Sequence, residues 1–417
     1  MRRGGLLRLY LMLSHTFPLI APRLLNRRLA RGKEHPDRWS EKCGRNLAMR
    51  PEGRLVWLNA VGLGEVLSLR GLINAMTKID AGLSFLVTST TRASADVFAR
   101  HLPPRTLHQF LPIDAPSYRR RFLEHFRPDL CIWAEQDLWP GMVSDLAKRS
   151  IPQVMVAARM ADASRRSHMR VASLYRDLYG AMSLITAQDQ DTASNLAALG
   201  AQDVQVTGSL KPSAPPLGCD PEALAAVRTA IGDRKVWAVA PSHPEDEEVA
   251  LNAHDVLRES APDGLLIIAP RYPDRAAEIA AETVPSPKRR SLNAFPSDTD
   301  PVWICDTFGE LGLIYRLCDA VLIGGTFSAI EGHSPWEAAA LNTAVLHGPR
   351  YGNFKDDYKA LKDAGGAIEV SSADELLAAI RSPGLDQTAE NAKTCVAAAT
   401  ARTDALAGQL LSLINGR

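Results

Sequence analysis

Ten short runs rich in apolar and β-branched residues alternate with helical patterns along most of the chain, and this alternation leaves few folds open. The runs are 55–59, 84–88, 130–133, 153–157 and 184–187, then 236–240, 265–269, 302–305, 320–323 and 344–346. Strands joined through helices run parallel, and a parallel sheet is covered by helices on both faces. Between the two sets lies Lys211-Pro-Ser-Ala-Pro-Pro-Leu-Gly-Cys-Asp220, whose prolines and glycine mark a linker. The 417 residues suffice for two cores of ordinary size. The expectation is an α/β protein of two Rossmann-like lobes, 51–211 and 221–417, joined through 212–220 across a central cleft. The last helix is free to pack back on the first lobe.

The apolar fraction of 46% and charged fraction of 23% are those of a globular protein, and 48 basic against 47 acidic residues give no electrostatic case for nucleic acid. Charge is uneven locally: residues 1–50 carry twelve Lys or Arg, Arg2 and Arg3 among them, against three acids. Within that segment 6–22 is apolar but interrupted by Arg8, His15, Pro18 and Pro22, short of the ~20 apolar residues of a spanning helix. An apolar stripe with basic flanks fits a monotopic anchor on an anionic cytoplasmic leaflet; the alternative is a terminal helix packed on the body. The six cysteines are scattered with no CxxC pair, as buried reduced thiols would be.

Neither half contains GxGxxG or GxxxxGK[ST], so dinucleotide redox and P-loop chemistry lose their main support. What remains is a set of loops after predicted strands. Gly62-Leu-Gly-Glu65 follows the first strand, its glycines permitting positive φ and close approach of a ligand. Glu65 is either a cleft carboxylate or an acid favoured by the helix dipole. In the second half Pro241-Ser-His243 and Pro270-Arg271 end strands. Asp306-Thr-Phe-Gly-Glu-Leu311 is expected to open a helix capped by Asp306 or Thr307. Ser334-Pro-Trp-Glu337 reads as a capping box with Pro335 at N1, after the glycine-rich loop 324–333.

Taken in order, these segments resemble the Kdo transferase family of lipopolysaccharide synthesis, which has the GT-B fold. The resemblance covers nearly the whole chain. It is carried by Arg31-Gly-Lys-Glu34 with Arg38 and Glu41, Gly64-Glu65, Thr88-Ser-Thr-Thr91, Pro112-Ile-Asp114, Arg127-Pro-Asp129, and Glu135-Gln-Asp-Leu-Trp-Pro140. It continues through Gly208-Ser-Leu-Lys211, His243 with Glu247-Glu248, Pro270-Arg271, Asp306 to Leu311, Gly332-His333 with Glu337, and Gly348-Pro349 leading to Asn353-Phe354.

The resemblance implies transfer of 3-deoxy-manno-octulosonic acid (Kdo) from CMP-Kdo to a lipid A precursor, with inversion, at the cytoplasmic side of the inner membrane. Glu65 would be the general base. Gly64, Glu135, Asp137 and Arg159 would serve the acceptor side. Lys211, His243, Arg271, Phe308, Gly309, Glu310, Leu311, Ser334 and Glu337 would serve the donor. No metal or other cofactor is expected, because CMP leaves as an anion that arginine and helix N-termini can stabilise. The chain departs from the family where Ser-Val-Gly-Glu becomes Gly62-Leu-Gly-Glu65, Glu-x-Glu becomes Glu135-Gln-Asp137, Asn-Ala-Arg becomes Ala157-Ala-Arg159, and Asn gives way to Ser334 before Pro335. These departures leave open a GT-B enzyme with another nucleotide-sugar donor or acceptor, or a non-catalytic lipid-binding paralogue.

Overall fold

In a computed structural model the described residues are 4–415, so Arg2 and Arg3 lie outside them. They form two compact units, one reaching to Ala214 and joined by the stretch from Ala399 onward, the other Pro215–Ala398. Each is built on one seven-stranded sheet whose pairs are parallel.

The first sheet contains β1 (Leu55–Asn59), β2 (Ser84–Ser89), β3 (Thr106–Phe110), β4 (Leu130–Ala134), β5 (Gln153–Ala158), β6 (Leu184–Ala187) and β7 (Gln205–Val206), in the order β3-β2-β1-β4-β5-β6-β7. The second contains β8 (Val236–Ser242), β9 (Leu265–Pro270), β10 (Lys288–Arg289), β11 (Val302–Ile304), β12 (Ala320–Ile323), β13 (Ala344–His347) and β14 (Ala367–Glu369), in the order β10-β11-β9-β8-β12-β13-β14. Every one of the ten expected strands is present. Four strands escaped sequence reading, and they are either the half-polar β3 or runs of two or three residues, too short to show a period.

The first order reverses between β1 and β4, and the second between β8 and β12. Loops leaving the two central strands at a reversal diverge to opposite faces and leave a crevice at the strand C-termini. Burial on both faces explains why the central strands are apolar throughout: Val56 and Leu58 enter one core cluster, Leu55 and Trp57 the other. The helix Leu385–Asn415 gives Ala392 to the second unit's core and Leu406, Ala407, Leu410 and Leu411 to the first's.

The basic N-terminal segment is tied into the first unit. Glu34, 1% exposed, pairs with Arg28 and with Lys42, whose ammonium also donates to Thr90 O at 2.8 Å. Arg38 bonds Glu41 at 2.7 Å, and Glu41 accepts the Phe110 N–H at 2.8 Å. Charges of this basic segment therefore clamp residues 28–42 to β3 and the loop after β2. Ahead of them, helices Gly5–Leu13 and Phe17–Ala30 leave Leu9, Met12, Leu19 and Ile20 exposed, while Tyr10 donates to Asp114 at 2.7 Å. No helix among the described residues is long and apolar enough to cross a membrane.

Candidate active site

Glu65 leaves the C-terminal end of β1 on the third residue of helix Leu63–Ile79, at the first sheet's reversal. One carboxylate oxygen, Oε2, accepts the backbone N–H groups of Val61 at 2.9 Å and Gly62 at 3.2 Å. The acid thus caps its own helix, and these bonds fix the orientation of the carboxylate and leave Oε1 outside them. Positive φ is not used here: Gly62 has φ −81°, and Gly64 is helical, with open space where a Cβ would stand. A Cβ on Gly62 would lie 3.2 Å from Oε1, so the serine usual in the family would crowd the free oxygen.

Across the reversal, the loop after β4 carries Glu135, held at φ 55°, and Asp137. Asp137 accepts the Trp139 indole N–H at 2.9 Å. Burial pushes its carboxyl above the ordinary range; the Trp139 bond opposes this, the Glu65 charge adds to it, and the Asn59 amide opposes it. Glu65, Asp137 and Asn59 therefore meet at one crevice, whereas Arg159 is exposed after β5. Lys211 lies in the first unit, in the 3-10 turn Lys211–Ser213; Pro212 and Ser213 after it are buried.

The second sheet's reversal gathers the other set. His243, after β8, and His333, in the loop after β12, stack with ring planes 11° apart and share a hydrogen bond of 2.9 Å between their Nε2 atoms. Burial lowers the His243 pKa; burial, His243 and Arg271 lower that of His333 to about 4. A hydrogen bond between two Nε2 atoms needs one ring to donate and the other to accept. Arg271 is exposed beside them, over the Tyr272 ring at 5.7 Å, with no ion-pair partner among the described residues. Asp246, fully buried, holds the loops together by accepting N–H groups of His243 at 3.0 Å, Gly325 at 2.6 Å and Phe327 at 3.1 Å. Gly324 is required for the same assembly, since a Cβ there would stand 1.9 Å from Pro241 O.

Two expected caps do not form. Asp306 instead receives Arg289 at 2.8 Å and the Ser291 N–H at 2.7 Å, and Glu310 takes the N-cap position of a helix reduced to Leu311–Tyr315. Likewise helix Trp336–Ala339 starts after Pro335 with no side-chain cap, so Ser334 and Glu337 make no capping box. This frees both residues for another role; burial raises the Glu337 pKa. Glu310 is braced by Arg290 at 2.9 Å and by Thr307, while Phe308, 80% exposed, and Gly309 lie open to solvent ahead of Leu311.

Sequence reading missed Asn59 and Asp246. A polar residue ending the otherwise apolar run Leu55-Val-Trp-Leu-Asn59 was the available signal for the first; the second is hidden within Glu245-Asp-Glu-Glu248. Other motif residues prove structural. Asp129 accepts the Leu55 N–H at 2.7 Å, and Glu247 pairs with Arg275 at 2.9 Å.

Residues 37–214 match the model of the family described as 3-Deoxy-D-manno-octulosonic-acid transferase (kdotransferase). The chain is 32% identical over 388 residues to a probable mitochondrial 3-deoxy-D-manno-octulosonic acid transferase of Arabidopsis thaliana, covering 89% of this chain and 87% of that protein. It is 30% identical over 337 residues to the 3-deoxy-D-manno-octulosonic acid transferase of Haemophilus influenzae, covering 78% of each. In fold alone it is similar to a UDP-GlcNAc 2-epimerase from Neisseria meningitidis bound to UDP-GlcNAc, with TM-score 0.55 at 13% identity over 86% of this chain and 99% of that one. With its two doubly wound parallel sheets, the chain belongs to the Kdo transferase family and is a glycosyltransferase of the GT-B fold.

Proposed function

We propose that the protein transfers Kdo, or a close sugar acid, from its CMP-activated form to a lipid A-type acceptor with inversion at the anomeric carbon. The observation that carries this reading is the placement of Glu65, in a family member, at the first sheet's reversal with one carboxylate oxygen fixed and the other outside the capping bonds. Oε1 takes the proton of the acceptor hydroxyl as that oxygen attacks the anomeric carbon and CMP departs. Asp137, with Glu135 and Arg159, orients the acceptor above Gly64.

In the second unit, Arg271 and the imidazole pair meet the donor's phosphate and carboxylate, and Glu337, Ser334 and the 308–311 loop hold the nucleotide. Arg271 is suited to this because it is exposed and has no carboxylate of its own among the described residues, and a guanidinium binds such anions in a bidentate fork. The family resemblance also assigns Lys211, in the first unit, to the donor. The reading assigns leaving-group stabilisation to these groups without a divalent ion, so chelator-treated enzyme keeps its rate.

The exposed apolar residues of the two N-terminal helices, with exposed Arg23, Arg27 and Lys33 nearby, support monotopic attachment to an anionic inner leaflet. The test is incubation with CMP-Kdo and a lipid A precursor. Released CMP and a lipid heavier by whole Kdo units support the proposal; a lipid left unmodified while another nucleotide sugar is consumed overturns the donor assignment.

A further inference from the structure

Asn59 ends β1 with its side chain fully buried, and one half of its amide is accounted for. The Trp57 indole donates to Thr88 Oγ1 at 2.9 Å, and that hydroxyl donates to Asn59 Oδ1 at 2.8 Å. An indole only donates, so the Thr88 oxygen receives and passes its single hydrogen onward. The chain has one direction and fixes the amide: Oδ1 faces Thr88 and Nδ2 faces away. The register agrees, since Asn59 lies opposite Thr88 on one side and Trp133 of β4 on the other. Nδ2 is buried and has no hydrogen-bond partner of full geometry among the described residues.

An orphaned buried donor is costly and is rare in native proteins. This one sits at the sheet's reversal, where its effect reaches the carboxylate of Asp137. We infer that Asn59 is a positioning residue of the acceptor site, aiming its amide Nδ2 at Asp137 and steering that carboxylate to meet the acceptor. Asn59 is sealed from solvent, whereas Asp137 is half-buried and, on the proposed function, is the group that meets the acceptor. Glu65 is the charged group acting on Asp137, while Trp139 and Asn59 supply uncharged donors. The two donors favour the ionised acid against burial and the Glu65 charge. Thr88 sets the direction of the amide without contacting Asp137.

The experiment uses the full chain and the variants Asn59→Asp, Asn59→Ala and Thr88→Val, with melting temperature as the check on folding. With the protein labelled with 5-fluorotryptophan, the Trp139 resonance, assigned with Trp139→Phe, is titrated in pH. Loss of the Nδ2 donor moves the Asp137 midpoint upward in Asn59→Ala and less in Thr88→Val, while Asn59→Asp adds like-charge repulsion to the same loss and moves it further. This arm needs no turnover, so it stands apart from the transferase reading.

The kinetic arm rests on that reading. It expects the acid limb of the rate to move up with the midpoint and the acceptor KM to rise several-fold, with the donor KM unchanged. A Trp139 midpoint that stays in place in a folded Asn59→Asp protein overturns the inference. So does a fall in kcat with no change in acceptor KM or pH profile, which would mark Asn59 as structural. Absence of turnover in the wild type would sink the transferase reading and leave the titration to decide the role of Asn59.

Discussion

At the scale of single residues, the chemistry depends on groups whose hydrogen bonds are partly spent. Glu65 uses Oε2 for its helix cap. Gly62→Ser therefore tests the crowding of the free oxygen: a hydroxyl beside Oε1 should alter the acceptor KM more than the donor KM. Arg271→Ala should raise the donor KM by about 10- to 100-fold, the worth of hydrogen bonds to a charged group, with the acceptor KM unchanged.

The imidazole pair carries a pH prediction. A bound anion favours protonated rings, whereas burial holds both pKa values down and that of His333 at about 4. Binding then takes up a proton, and by linkage affinity for CMP rises as the pH falls. Titration calorimetry at pH 5.5 and 7.5 should show this, and His333→Ala should flatten the difference to what the phosphate's own ionisation contributes. At this scale the sequence disclosed acids and arginines through their motifs. It hid Asn59, because the meaning of its amide lies in Thr88, 29 positions away and brought alongside only by strand pairing.

Elements explain which expectations failed. Both lost caps belong to short helices, Leu311–Tyr315 and Trp336–Ala339, and at the first of them tertiary bonds outweigh local capping rules. A side-chain cap contributes about 1 kcal/mol, less than the charge-assisted bonds Asp306 makes with Arg289 and Ser291. The basic stretch shows the same competition, since Glu34 is buried between two cations. Lys42→Met removes one of them and should destabilise the first unit by about 3 kcal/mol, the usual cost of breaking a buried pair, measured by denaturant unfolding. The N-terminal helices are tested by replacing Leu19, Ile20 and Leu24 with serine. Binding to vesicles of anionic lipid should fall at least several-fold with melting temperature unchanged, because all three side chains are more than half exposed.

For the whole molecule, the alternation of strand and helix was legible because both faces of each parallel sheet are covered, which forces continuous apolar runs. The last helix belongs to both cores, and its share in the first is a long-range contact with no local signature. Ending the chain at Ala398 would strip Leu406, Ala407, Leu410 and Leu411 from the first unit. At roughly 1.5–3 kcal/mol for each buried leucine, that loss should leave it unfolded or aggregated.

The central claim is that Glu65 serves as the base in transfer of a sugar acid. Single-turnover release of CMP from CMP-Kdo in the presence of lipid A precursor, compared between wild type and Glu65→Gln, tests it most directly. Glutamine keeps one carbonyl oxygen for the Val61 and Gly62 N–H groups and loses the base, so the rate should fall by about 10²- to 10⁴-fold with the protein still folded. A folded Glu65→Gln enzyme that releases CMP at the wild-type rate would contradict the account.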